Sequence, residues 1–299
     1  MRHAAVGDRQ STVGATHWNY PAEKNDFRDL HRLRFGIAAV GKVHRFMSSN
    51  ATTNRQFAEW LASAFREVDW PIPPYLPLGG VLSPLAKAIK DASKDEKLEI
   101  VREKLANAYS SDYLASMFVD RYTRIPHVRD FARQIDESIR TYFCGYTFNA
   151  VAGMLPVLEG IIRKMAARQN RDVGQGTGGL KVELQILVDR EQQSPHCYGE
   201  RLVVLEAFRD FVRDRLLKKT DGYDGLNEFN RHGILHGIFD NFGQDINFLR
   251  LITLLDLLCF SIGLVEGGVS MFAPPETPES SSLAAKYLAL RSFHIASTE

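Results

Sequence analysis

Cysteine is scarce in this chain. Its 299 residues hold three, Cys144, Cys197 and Cys259, and none forms a C-x-x-C pair. Cys144 and Cys259 fall in apolar helical patterns and read as small core residues. The odd count, in a chain whose start MRHAAVGDRQSTVG lacks the apolar core of a secretory signal, points to a reducing, cytoplasmic setting. Net charge is scarce as well. A formal +1 excludes a surface coated in positive charge, so any nucleic-acid contact must be local. Long apolar runs are few. The longest, Leu251 to Val265, contains Asp256 and falls short of the roughly 20 residues a membrane span needs, so a buried helix and no membrane are expected. β-hairpin signals and β-α-β alternation are missing too, which leaves an all-α fold.

What is present is helical periodicity. Residues 1–25 are polar and aperiodic, and poor order is expected there. Residues 26–125 form a helical N-terminal region, with stripes such as Leu30, Leu33, Ile37, Val40 and Val43. Four prolines in the segment Trp70 to Pro77 (70–77) predict an extended, semi-rigid connector. Pro126 opens a second region, 126–265, with a stripe of Val128, Phe131, Ile135, Ile139 and Tyr142 and a helix from about Thr147 to Arg168 that Pro156 should kink. Asp172 to Leu180 is glycine-rich, but it lacks the strand-loop-helix setting of a phosphate cradle and reads as an interhelical loop. Glu200 to Lys219 is a helix whose last turn carries Arg213, Arg215, Lys218 and Lys219; these could guide RNA or simply complement the helix terminus. Ile246 to Leu264 is apolar almost all round, as a central bundle helix should be. Residues 266–299 read as a linker and a short terminal helix, Leu283 to Phe293.

The chemistry is concentrated in the octapeptide NRHGILHG, Asn230 to Gly237. Cutting RNA through its own 2′-hydroxyl needs a base, an acid and positive charge for the phosphorane-like transition state. Histidine titrates near neutrality, and arginine is a permanent planar fork for phosphate oxygens. His232 and His236 share a helix face, whereas Arg231 and His236 lie about 140° apart on an ideal helix. A site in one chain therefore needs Arg231 to reach over the helix start, or a second protomer to pool residues. Other readings stay open. The histidine pair has zinc-ligand spacing, but the zincin pattern needs Glu where Gly233 stands. A structural metal could use His196 or Asp240. The histidines could also merely cap and pack a helix start, with Gly233 and Gly237 allowing close approach.

The segment resembles the HEPN superfamily, all-α bundles marked by R-x(4–6)-H near the start of the last core helix. Arg231-x4-His236 fits, LPVLEGIIRKM (Leu155 to Met165) resembles the family's EG-x-x-R stretch, and INFLRLITLLDLL resembles its closing helix. The likeness covers about residues 126–265. It implies a HEPN-like antiparallel bundle and a metal-independent endoribonuclease that leaves a 2′,3′-cyclic phosphate, with no cofactor and no metal. It also implies an RNA partner, a homodimer with a composite active site, and a toxin or antiphage-defence role, with an antitoxin that neutralises it. By position, Arg231 would stabilise the phosphate and His236 would act as acid/base. His232 stands where the family more often has Asn or Asp. Asn230, Glu159 and Arg163 are supporting candidates, the last two also forming an ordinary i,i+4 helix pair. The alternative is a non-catalytic RNA- or nucleotide-binding or dimerisation module in which the octapeptide is structural.

Overall fold

The computed structural model describes residues 53–174, 176–195, 197–267 and 270–298. The expectations for residues 1–52, and His196, lie outside the described residues. Within them the protein is all-α, with no strand. The helices are α1 (53–66), α2 (Ser83–Asp91), α3 (Lys94–Ala108), α4 (Ser111–Met117), α5 (Ala132–Phe143), α6 (Thr147–Arg168), α7 (Thr177–Gln193), α8 (Gly199–Phe211), α9 (Arg231–Leu235), α10 (Asp245–Glu266) and α11 (Pro278–Thr298).

Helix α10 is the axis of the core. Every residue from Ile246 to Ile262 is buried, as all-round apolarity requires. It is long and apolar enough to cross a membrane by length and composition, but most of it is enclosed by the other helices. It packs on α3, α6 and α8, while α5 lies along α6, α7 along α8, and α11 along α4 and α5. Local sequence sets several helix starts. Ser93 and Glu96 form a capping box at α3, with Asp95 and Glu96 in its first turn, which satisfies free N–H groups and suits the positive helix end. Thr277 and Ser280 cap α11 reciprocally, each side-chain oxygen accepting the other's backbone N–H at 3.2 and 2.8 Å. Pro156 lies inside α6, which continues to Arg168.

Four sequence expectations change. Trp70–Pro77 stays outside the helices, as a connector should, but is packed into the core: Trp70, Ile72, Tyr75 and Leu76 are buried, and the Trp70 indole donates to Thr253 Oγ1 on α10 at 3.1 Å. Proline prevents helix here, but the extended path still buries aromatic rings. Position 126 is no break in packing, because one apolar cluster runs from Ala58 to Tyr287. The terminal helix is 21 residues long and begins at Pro278, because the Thr277/Ser280 cap starts it before the apolar pattern does. Cys144, expected in the core, is only partly buried; Cys259 is fully buried.

Two charged side chains lie in α10 with no exposed surface, Arg250 and Asp256. Asp256 accepts hydrogen bonds from Tyr113 Oη at 2.8 Å and Tyr122 Oη at 2.6 Å. Burial outweighs those bonds and pushes its carboxyl up from 3.8 to about 7. Because the folded value is the higher one, both states hold the proton below the unfolded value and nothing is lost there. Stability then falls as pH rises toward 7, by up to about 4 kcal/mol once Asp256 is ionised. Asp256→Asn should flatten this decline, as read from urea midpoints between pH 4 and pH 8. Parallel pH profiles for the two proteins would show that Asp256 is not the responsible group.

Candidate functional site

The octapeptide lies ahead of the long core helix, as its sequence position implies. It forms its own short helix, α9, separated from α10 by residues 236–244. Five residues cannot hold a helix in water by propensity alone, so the anchor is tertiary. Asn230 is fully buried. Its Oδ1 accepts the Gly233 N–H at 3.0 Å, an N-cap. Its Nδ2 donates to the carbonyls of Arg215, at 3.3 Å, and Lys218. α9 is thereby tied to the basic segment that follows α8. Gly233 is required by close approach, since a Cβ there would lie 2.4 Å from the Phe239 ring. Gly237 reverses the chain at φ +67°, a conformation that glycine adopts without strain.

Arg231, Glu159 and Arg163 are brought together. Arg231 Nε donates to Glu159 Oε1 at 2.6 Å, and Arg163 Nη2 lies 3.8 Å from Glu159 Oε2. Arg163 also donates to the carbonyls of Gly174 and Gly176, so the glycine-rich loop is latched to α6. The trio has two cations and one anion. Glu159 holds Arg231 through Nε, and among the described residues no hydrogen bond occupies its two terminal nitrogens. Those nitrogens form the fork that grips phosphate oxygens.

The histidines complete the group. Their rings stack, with centroids 5.7 Å apart and planes 15° apart. His232 is half-buried, and its proton affinity is lowered by burial first, then by the charges of Arg231 and His236, which favours a neutral imidazole. His236 is not in the helix body: it is the exposed C-cap of α9, with φ −102° and ψ 6°. The 140° separation of an ideal helix therefore does not describe the pair. A chain of neighbours, Arg231 to His232 to His236, exists within the single chain. Among the described residues no group of three or more His, Cys, Asp or Glu is placed to hold a metal ion.

Sequence reasoning missed the frame beneath the site. Arg250 donates to the carbonyls of Val68 and Asp69 at 3.2 and 3.1 Å, and to Asn247 and Asn227 Oδ1 at 2.8 and 3.0 Å. The Asp69 carboxylate receives Arg215 Nε and the Leu226 N–H, each at 2.6 Å. This network fixes the loop that delivers the chain to Asn230. Its signal was an arginine in an otherwise apolar helix. Comparison with protein-family models, curated proteins and solved structures returns no match.

Proposed function

We propose that the protein is a metal-independent endoribonuclease of HEPN type that uses Arg231 and His236, with His232 beside them. The observation that carries this reading is Arg231, oriented by Glu159 through Nε with its terminal nitrogens unbonded among the described residues, next to the stacked His232 and exposed His236 rings. In this mechanism the 2′-oxygen attacks phosphorus and the bond from phosphorus to the 5′-oxygen breaks. A neutral imidazole takes the 2′-hydroxyl proton, and an imidazolium returns one to the leaving 5′-oxygen. Arg231 neutralises the charge that builds on the non-bridging oxygens. His236, at the surface, is the acid/base that meets RNA. The neutral preference of His232 suits a proton acceptor. The family likeness adds a homodimer with a composite site, a HEPN-like bundle, and a toxin or antiphage role restrained by an antitoxin.

A non-catalytic module is the second reading, and two observations favour it: the Glu159 pair and the Asn230 cap give Arg231 and Asn230 structural work. Incubating the protein with single-stranded RNA in the presence of a chelator separates the two. Cleavage to 2′,3′-cyclic phosphate and 5′-hydroxyl ends is expected, with Arg231→Ala reducing the rate by about 10²-fold or more. Chelator-sensitive cleavage, or full activity in Arg231→Ala, would contradict the proposal.

A further inference from the structure

A cavity of about 600 Å³ opens between α1, α7, α8 and the basic segment after α8. That is the size range of small-molecule sites. Its floor is apolar, formed by Ala62, Trp70, Ala207 and Phe211. Six cationic and four acidic side chains line it. The paired cations are accounted for: Arg213 bonds Asp210 and Asp214, Arg215 bonds Asp69, and Lys218 bonds Asp224. Arg66, Lys181 and Lys219 have no ion-pair partner among the described residues, and Arg66 and Lys219 are exposed. Asp221 is the opposing acid on this rim without such a partner. An apolar floor under an unpaired cationic rim suits a nucleotide, with its base on the floor and its phosphates at the rim.

Two observations connect this cavity to the octapeptide. Asn230 is bonded to the carbonyls of Arg215 and Lys218, both of which line the cavity. The Lys181 charge acts on His232 on one side and on cavity-lining Asp214 on the other. We infer that the cavity is a binding subsite for one nucleotide of a single-stranded RNA whose neighbouring phosphodiester lies at Arg231 and His236. This rests on the ribonuclease reading for its destination, but the cavity's own affinity can be measured apart from cleavage.

The test uses the full chain carrying His236→Ala and a fluorescent twelve-residue oligouridylate, with binding followed by anisotropy across a salt series. Adding Lys181→Glu with Lys219→Glu, and separately Arg66→Glu, should weaken binding at least tenfold at 0.1 M salt. The salt slope should fall by about 0.7 for each phosphate that the variant no longer neutralises. Neutral Lys181→Gln with Lys219→Gln should give an intermediate loss, and unchanged circular dichroism melts would confirm that the variants fold. Unchanged affinity and salt slope would overturn the subsite. If the twelve-mer binds through these cations while the wild type cleaves nothing, the subsite stands and the ribonuclease reading fails. If the wild type cleaves but the reversals do not alter binding, the subsite fails alone.

Discussion

Replacing His236 with alanine is expected to lower RNA cleavage by about 10²–10⁴-fold, the usual loss when a general acid or base is removed, while leaving the fold intact. The second half of that expectation comes from its position. His236 is exposed, lies at the C-cap of α9, and stacks on the His232 ring. Surface substitutions of that kind change stability by less than about 0.5 kcal/mol. Arg231→Ala should behave differently. It would remove the hydrogen-bonded one of Glu159's two cations, leaving that side chain, only 13% exposed, with Arg163 at 3.8 Å, at a cost of about 2 kcal/mol. Loss of activity with an unshifted melt in His236→Ala is thus the signature of chemistry, and the same loss with a lowered melt would identify a structural histidine. If the protein expressed in cells slows growth, His236→Ala should relieve the defect.

The largest stability effect belongs to Arg250. Arg250→Ala should cost about 5 kcal/mol, measured as a drop in the urea midpoint at constant slope. Removing a fully buried guanidinium strips hydrogen bonds from the carbonyls of Val68 and Asp69 and from two asparagine side chains. It also leaves a void against the Trp70 and Phe229 ring faces, over which the cation sits at 5.2 and 5.6 Å. Orphaned buried acceptors and a cavity each carry a penalty of roughly 1–3 kcal/mol or more. Burial depresses the Arg250 guanidinium to about 10, with the Asp69 charge opposing, so it remains protonated at neutral pH. Arg250→Met fills much of the space and should recover part of the loss. Arg250→Ala with wild-type stability would show that the network does not hold the loop.

The helices of the bundle were legible because their stripes have period 3.6: α5, α8 and α10 lie close to where apolar spacing puts them. The association of Arg231 with Glu159 and Arg163 was legible only as three candidates, since nothing local brings residues 72 positions apart together. What sequence could not reveal was long-range polar bonding. Nothing in the sequence marks Asp69 or Asn227 as network residues, and the prolines after Trp70 read as a connector. Each acquires its role from a partner on α10 or after α8. The octapeptide's boundaries are hidden for the same reason. A one-turn helix that depends on a buried asparagine has no periodicity of its own to read.

The brevity of α9 has a consequence for motion. Its amides cannot open by fraying while the remainder stays in place, because one turn has almost no local cooperativity. Release of the Asn230 side chain from the carbonyls of Arg215 and Lys218 would free Arg231, both histidines and the cavity wall together. Their exchange with solvent would then occur in a single concerted event, so the octapeptide and the basic segment after α8 would share one opening equilibrium.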